Sequence, residues 1–311
     1  MTVIALDAMS GDLGAQECVP AALRALAEDA ALRLLLVGDP AVLEPLLAAA
    51  DRTRLEVVSA SEVITMDDSP REAIRRKKDS SMRIAIDLVR EGRADAAVSA
   101  GNTGALTAIA HFVLKCLPQV ERAPIMSAVP NERGSTHLLD LGANVRATVL
   151  QLEQFAIMGA IVARDVHGIA RPRVGLLNIG VEQTKGHDLV QEAHALLGAW
   201  RAAGHARDFE YVGFVEGGDI FTGEVDVVVT DGFTGNVALK TMEGVARLIG
   251  KRLKQGFTAS LPAKLAGLAA RPVLERVTAS RVTGSRVTGA RVTGSRVTGS
   301  RVTGSRVTGS R

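Results

Sequence analysis

Short runs of β-branched and aliphatic residues alternate along the chain with longer segments in which apolar residues recur every three or four positions. The short runs predict nine strands, at residues 3–6, 34–37, 55–58, 96–99, 125–129, 138–141, 174–179, 211–215 and 225–230. The longer segments predict helices, for example at 17–28, 41–50, 82–90, 104–115, 149–164 and 188–203. Apolar strands separated by helices of about 10–15 residues are typical of βαβ units. The pattern therefore predicts an α/β fold, a Rossmann-like and mostly parallel sheet with helices on both faces.

The pattern changes at Arg276, where the pentapeptide Arg-Val-Thr-Gly-Ser begins to repeat with small variations as far as Arg311. One valine in five residues, beside glycine and serine, gives no continuous apolar face on a helix or a strand. We therefore expect one α/β domain over residues 1–275, with a helical segment at about 236–270. Residues 276–311 are expected to be a disordered, low-complexity tail.

The charge is concentrated in that tail. The chain has a net charge of +3, but eight of its arginines and no acidic residue lie in 276–311, so the preceding residues are net negative. With one Trp and one Tyr, they offer no platform on which bases could stack, and nucleic acid is not expected as a partner. Two cysteines, Cys18 and Cys116, and six scattered histidines predict neither a disulfide framework nor a metal site. No segment is long and apolar enough to span a membrane, so a cytoplasmic location is expected.

Polar, glycine-rich loops follow five of the predicted strands. They occupy residues 7–14, 99–105, 140–144, 178–186 and 231–236. Ligands of open α/β sheets bind beyond the carboxyl ends of the strands, so these loops are expected to converge on one edge. Glycine lets backbone N–H groups approach a ligand, and a following helix N-terminus favours an anion. The loops therefore predict an anion site, to which Lys185 would contribute a positive charge.

Other chemistries find less support in the chain. No loop has the dinucleotide or P-loop pattern of glycines, so a nucleotide cofactor is not expected. Cys18 and Cys116 lie in helical patterns away from the loops, and no nucleophilic triad is apparent. A charge run at residues 75–78 precedes Ser80 and Ser81, which can cap the next helix with their donors toward a ligand.

Seven motifs in this order resemble the PlsX-type phosphate acyltransferases. They are ALDAMSGD (5–12), RRKKDSSM (75–82), VSAGNTGAL (98–106), LDLGAN (139–144), LLNIGVEQTKG (176–186), GFVEG (213–217) and DGFTGNVALKTMEG (231–244). The resemblance implies an enzyme of phospholipid synthesis that converts acyl-[acyl-carrier-protein] and inorganic phosphate to acyl phosphate. It also implies a fold like that of isocitrate dehydrogenase and phosphate acetyltransferase, a homodimer and peripheral association with a membrane.

We expect Lys185 and Asn236 to be the catalytic residues of such an enzyme. Lys185, with the region of Ser80, Ser81 and Asn102, would hold phosphate, while Asn236 and neighbouring backbone N–H groups would face the thioester carbonyl. The full set of expected substrate-binding residues is Asp7, Gly11, Asp12, Ser80, Ser81, Asn102, Thr103, Gly104, Asn144, Asp231 and Thr234. Neither a metal nor a nucleotide is required.

The chain departs from the family pattern at two places. The family usually has glycine where Ser10 stands, which predicts strain of about 1 kcal/mol if that turn needs a positive φ. The family also continues with a closing segment resembling N-G-x-V-V-I-K-x-H-G, whereas this chain has the pentapeptide repeats there. Loss of a closing strand would expose a sheet edge. Two alternatives therefore stay open: a phosphate acetyltransferase-like enzyme that uses a coenzyme A thioester, and a catalytically inactive scaffold.

Residues 236–268 carry an amphipathic pattern. Apolar residues recur at helical spacing (Leu248, Ile249, Leu253, Phe257, Leu261, Leu265 and Leu268) among basic ones (Lys240, Arg247, Lys251, Arg252, Lys254 and Lys264). Such a pattern is compatible with core or dimer packing and with attachment to the inner face of a membrane. The family resemblance favours the membrane.

Overall fold

The computed structural model describes residues 1–202 and 209–285, with side chains for 1–200 and 209–274. The chain forms two compact units, one of residues Met1–Ala123 and a second that begins at Pro124. Residues 1–275 were expected to form one domain around one sheet, whereas each unit has a sheet of its own. All nine predicted strands are present, and the α/β class is confirmed.

The first unit is a parallel sheet covered on both faces. Its strands are β1 (Thr2–Asp7), β2 (Leu32–Gly38), β3 (Leu55–Ser59) and β4 (Ala96–Ser99), in the order β3-β2-β1-β4. Its helices are α1 (Ala15–Glu28), α2 (Pro40–Leu46), α3 (Pro70–Arg76), α4 (Ser81–Arg90) and α5 (Thr103–Leu114). Since side chains alternate along a strand, Leu34 and Leu36 pack against α1 and α2, while Leu35 and Val37 pack against α4.

The second unit is a mixed sheet. Its strands are β5 (Met126–Asn131), β6 (Gly134–Leu139), β7 (Arg173–Leu177), β8 (Glu210–Val215) and β9 (Val227–Val229), in the order β5-β6-β9-β7-β8. Only the β5–β6 pair is antiparallel. The helices are α6 (Val149–Asp165), α7 (Asp188–Ala202), α8 (Gly232–Thr258) and α9 (Leu261–Ser285). Helices α6 and α7 cover one face around Phe155, and α8 packs on the other against Val228.

The helical segment expected at 236–270 consists of α8 and α9, separated at Ala259 and Ser260. Helix α9 continues to Ser285 and so includes the first two pentapeptide repeats, 276–280 and 281–285. The first of these repeats has alanine in place of glycine. Alanine favours a helix more than glycine does. The rest of the expected tail, residues 286–311, lies outside the described residues.

A buried histidine, His137, lies against a half-buried one, His167, in the second unit. His137 on β6 is 1% exposed, and its ring centroid lies 4.4 Å from that of His167. Neither ring nitrogen of His137 has a hydrogen-bond partner within the described part of the chain. Burial, with a smaller contribution from His167, lowers the pKa of His137 from 6.5 to about 4, against an opposing effect of Asp226. His137 is therefore neutral in the folded protein at neutral pH.

The lowered pKa of His137 predicts that the folded protein is less stable in mild acid. Because the pKa of His137 is lower in the folded than in the unfolded chain, the unfolded state binds more protons between pH 6.5 and about 4. The free energy of unfolding should fall over that interval, by about 3 kcal/mol from His137. Chemical denaturation at a series of pH values measures it. The free energy of unfolding of His137→Leu should fall less steeply with decreasing pH than that of the wild type. Equal slopes would show that His137 does not titrate as described.

Candidate active site

The five polar loops lie on two sheets rather than one. Those at 7–14 and 99–105 follow β1 and β4 in the first unit, and those at 140–144, 178–186 and 231–236 follow β6, β7 and β9 in the second. The expectation that all five meet at one sheet edge is therefore wrong, because their strands do not belong to one sheet. Within each unit the loops do share an edge, since β1 pairs with β4 and β9 pairs with both β6 and β7 in parallel.

In the first unit, Asp7 joins the two loops. Its carboxylate is fully buried, and Oδ2 accepts a hydrogen bond of 2.6 Å from the Ser99 hydroxyl. Ser99 Oγ lies 3.0 Å from Ser10 Oγ, which in turn accepts a hydrogen bond from the backbone N–H of Ala100. Asp7 thus holds the shape of the loop pair, while Gly11 and Asp12 at the tip of the first loop are exposed.

The expectation of backbone strain at Ser10 is wrong. Within the described residues, Lys115 and Gln119 are the non-glycine residues with positive φ, and in this loop positive φ occurs at Gly11 (91°) and Gly14 (52°). The turn therefore places its left-handed positions at glycines. Ser10 is 4% exposed and its hydroxyl links the two loops.

The side chain of Asn102 is engaged at both ends. Oδ1 accepts from the N–H of Ala105 and caps α5, while Nδ2 lies 3.0 Å from the carbonyl oxygens of both Met66 and Asp68. Asn102 therefore fixes the segment before α3 against the start of α5. Thr103 and Gly104, in the first turn of α5, are exposed at this end of the sheet.

Ser80 and Ser81 begin α4 and are buried, at 0% and 1% exposure. The hydroxyl of Ser80 caps the helix by accepting from Arg83 N–H, and it donates to the carbonyl of Lys77. The hydroxyl of Ser81 has no partner among the described side chains and backbone groups. Both serines help to form the start of α4.

In the second unit, Asp140 organises the loop after β6. Its buried carboxylate accepts five hydrogen bonds from N–H groups, which belong to Ile125, Gly142, Ala143 and Asn144. Asn144 contributes both its backbone and its side-chain amide, at 2.6 and 2.9 Å. The loop is thus held as a tight turn around one negative charge.

Helix α8 begins directly against this turn. Asp231 caps the helix by accepting from the backbone N–H of Thr234 at 2.9 Å and from its hydroxyl at 2.7 Å. Gly232 donates its N–H to the carbonyl of Asn144, and a Cβ on Gly235 would overlap the carbonyl oxygen of Asp140. Only glycines allow this close approach of two backbones. It leaves Asn236 exposed beside Gly142 at the N-terminal turn of the helix.

Lys185 lies in the loop after β7, the strand that pairs with β9 in parallel. Asn178 Nδ2 donates to the carbonyls of Gly180 and Lys185 at 3.0 Å each and closes the loop. Lys185 Nζ lies 2.8 Å from a carboxylate oxygen of Glu182. That hydrogen bond raises the pKa of the Lys185 ammonium, which stays positively charged. Its side chain is 45% exposed and can turn toward a ligand.

Sequence reasoning missed the residues that hold these loops. Ser99, Asp140 and Asn178 order the backbone at three strand ends, and the signal for each was a polar residue at the last position of an apolar strand or just after it. Cys116 was expected within a helix and follows the end of α5 instead. Burial raises the pKa of both thiols, Cys18 and Cys116, which disfavours the reactive thiolate.

The chain is similar to known acyltransferases in sequence and in fold. A family model described as fatty acid synthesis protein matches residues 2–304. A phosphate acyltransferase from Methylococcus capsulatus is 56% identical over 277 residues, which cover 88% of this chain and 80% of the relative. One from Pseudomonas putida is 51% identical over 280 residues, 89% and 81% of the two chains. The EutD phosphotransacetylase from Staphylococcus aureus has the same kind of fold, with a TM-score of 0.57 at 19% identity over 79% of this chain and 82% of that one.

Proposed function

Because this chain belongs to the fatty acid synthesis protein family and is an acyltransferase, we propose that it makes acyl phosphate from acyl-[acyl-carrier-protein] and inorganic phosphate, a step that supplies phospholipid synthesis. The observation that carries the proposal is the 56% identity with a phosphate acyltransferase over 88% of the chain. The polar edge formed by the loops after β6, β9 and β7 supports it, since that edge combines a cation with a helix N-terminus.

The reaction needs positioning and charge stabilisation more than acid–base chemistry. Phosphate carries anionic oxygens at neutral pH, so no residue has to deprotonate the nucleophile. One phosphate oxygen bonds to the carbonyl carbon of the thioester, the carbon–sulfur bond breaks, and the departing thiolate takes a proton from water. Orientation of the two substrates can supply about 7–11 kcal/mol of the barrier reduction, and donors aimed at the developing oxyanion add several more.

We assign Lys185 to phosphate and Asn236 to the thioester carbonyl. Lys185 is a cation on a loop that follows β7, and Asn236 lies in the first turns of α8 after the neighbouring strand β9. The N-terminus of α8 carries a partial positive charge that stabilises an oxyanion. Asp231, Thr234 and Asn144 shape this helix start through their own hydrogen bonds, so we propose that they act by ordering it. Asp7, Ser80 and Asn102 do the same for the loops of the first unit. Ser81 contributes through its backbone N–H, which donates to the carbonyl of Glu62.

Lys185→Ala is expected to raise the KM for phosphate about 10- to 100-fold, since a charge-assisted contact contributes about 1.5–3 kcal/mol. Steady-state rates at varied phosphate and saturating acyl donor measure it. Glu182→Gln, which leaves the lysine but removes its carboxylate partner, serves as the matched control and should not raise the KM. Full phosphate affinity in Lys185→Ala would remove Lys185 from the site.

A phosphate acetyltransferase-like enzyme with a coenzyme A donor is the alternative within the same chemistry. The fold shared with the EutD phosphotransacetylase accommodates either donor, because a fold does not specify a substrate. Rates with the same acyl group on acyl carrier protein and on coenzyme A, with hydroxylamine to trap acyl phosphate, separate the two. We expect a higher kcat/KM for the carrier-protein donor, and a preference for coenzyme A would favour the alternative.

We also propose that the protein is a homodimer that binds the cytoplasmic face of a membrane reversibly. Among the described residues no helix is long and apolar enough to cross a bilayer. Leu261, Leu265 and Leu268 on α9 are 77%, 70% and 66% exposed, and a groove of about 600 Å³ between α8 and α9 is lined mainly by apolar residues. Exposure of this extent supports contact with lipid or a second copy over a place in the core of this chain.

Leu261→Glu with Leu265→Glu is expected to reduce sedimentation with anionic vesicles at least fivefold, because shallow insertion of two leucines is lost. The repeats remain in every variant, so their arginines contribute equally. Val166→Glu, at an exposed valine after the end of α6, is the matched control and should sediment as the wild type does. Wild-type vesicle binding by the double variant would contradict membrane insertion, and loss of the dimer instead would assign the leucines to the interface between copies.

A further inference from the structure

A cluster of unpaired positive charges lies on and just after helix α3. Arg71, Arg75, Arg76 and Lys78 are exposed, and none of them forms an ion pair or a hydrogen bond with a described residue. The one lysine between them, Lys77, differs: its ammonium binds Asp68 and the carbonyl of Val63. We call the four unpaired residues the α3 cationic surface.

The other arginines of this unit are mostly engaged. Ion pairs with carboxylates hold Arg33, Arg52, Arg83, Arg90 and Arg93. Arg54 donates to the carbonyl oxygens of Leu26, Asp29 and Leu32. The nearest carboxylates, Glu72 and Asp79, accept from Ser69 and Ser61 and form no ion pair with these cations, although their charges still reduce the local field. Apart from Lys77, which is paired with Asp68, residues 71–78 contain four cations and one carboxylate, Glu72, so their net charge and local field are positive.

The α3 cationic surface borders the loops at the carboxyl end of the first sheet. Asn102, the cap of α5, holds the carbonyls of Met66 and Asp68 immediately before α3. Pro70, the first residue of α3, lies 3.4 Å from the position that a Cβ on Gly104 would occupy. Met66 beside it is 65% exposed, which places an apolar side chain at the same border. Exposed methionine and arginine are both enriched in protein interfaces.

We propose that the α3 cationic surface docks the acidic face of the carrier protein that brings the acyl donor. This proposal rests on the proposed function, which requires such a partner. The four charges are spread along the exposed face of α3 and the residues after it, as complementarity to an extended acidic protein surface requires. A single phosphate would instead be held by convergent side chains. Docking there would place the carrier protein beside the polar loops of the first unit.

Charge reversal on α3 tests the proposal. Labelled acyl carrier protein is titrated against full-length wild type, Arg75→Glu and Arg76→Glu at several salt concentrations, with fluorescence anisotropy as the readout. Each reversal is expected to weaken binding about fivefold or more at low salt and to reduce the salt dependence of the dissociation constant, because peripheral charges act mainly through screened attraction. Melting temperatures are recorded for each variant, since both arginines also favour the C-terminal turn of α3.

Arg24→Glu is the matched control. Arg24 is likewise exposed and without an ion pair among the described residues, but it lies on α1, which covers the opposite face of the sheet. This control should bind the carrier protein within twofold of wild type. Equal affinities of the Arg24 and α3 variants for acyl carrier protein would overturn the proposal. It would also be overturned if the α3 variants lost binding to anionic vesicles and kept carrier-protein binding. Wild-type turnover of acyl-[acyl-carrier-protein] is measured in parallel, so the proposed function can stand or fail separately.

Discussion

Replacing Asn236 with alanine is expected to lower kcat for acyl phosphate formation about 100- to 1000-fold, the usual effect of removing one oxyanion donor. The side chain is exposed and lies beside Gly142, so the melting temperature should stay near that of wild type. Initial rates with hydroxylamine trapping, together with thermal denaturation, measure both quantities.

Val237→Ala is the matched control for Asn236, since Val237 is the next residue of α8 and is 49% exposed. Its kcat should remain within about twofold of wild type. If Asn236→Ala kept wild-type kcat, the assignment of the thioester carbonyl to the start of α8 would be wrong. If both variants lost activity equally, the effect would belong to the helix surface and not to the amide.

Gly235→Ala is expected to destabilise the fold by about 3 kcal/mol, at the upper end of the cost of overpacking. The added Cβ would overlap the carbonyl oxygen of Asp140 and approach Thr230 Cγ2 to 2.9 Å. A backbone carbonyl cannot turn aside as a flexible side chain does, so α8 and the 140–144 turn must move apart. Denaturant titration measures the loss, and activity should fall with it.

Gly244→Ala, in the same helix, provides the contrast. A Cβ at Gly244 would meet no described atom within 4 Å, and alanine favours a helix over glycine by about 1 kcal/mol. This substitution should therefore leave stability unchanged or raise it. Equal destabilisation by the two substitutions would show that the packing at Gly235 is not special.

The elements of the fold could be predicted because each depends on a local pattern. Strands such as 34–37 and 174–177 are apolar throughout, and the helices between them repeat at helical spacing. The division into two sheets could not be predicted in this way, since pairing is decided by contacts between distant strands. The antiparallel β5–β6 hairpin turns at Glu132 and Arg133, and a stretch without helix or strand precedes it. Both features mark the boundary, but neither specifies that β4 and β5 belong to different sheets.

The sequence predicted which loops form the candidate site, but not which groups their side chains bond. Asn102, Asp231 and Ser80 were expected to contact substrate, and each side chain caps a helix. Caps and anion sites draw on the same short polar residues, so residue type alone does not distinguish them. The structure shows which of these side chains cap a helix, and their contact with substrate stays a prediction.

Transfer of the acyl group to phosphate is measured by incubating the full-length protein with acyl-[acyl-carrier-protein] and radiolabelled inorganic phosphate. We expect label to enter an acyl phosphate, hydroxylamine to release it, and one carrier-protein thiol to appear for each labelled product. Thiol release without labelled product would indicate hydrolysis of the thioester. A folded protein that formed no labelled product and released no thiol would be an inactive scaffold and not a phosphate acyltransferase.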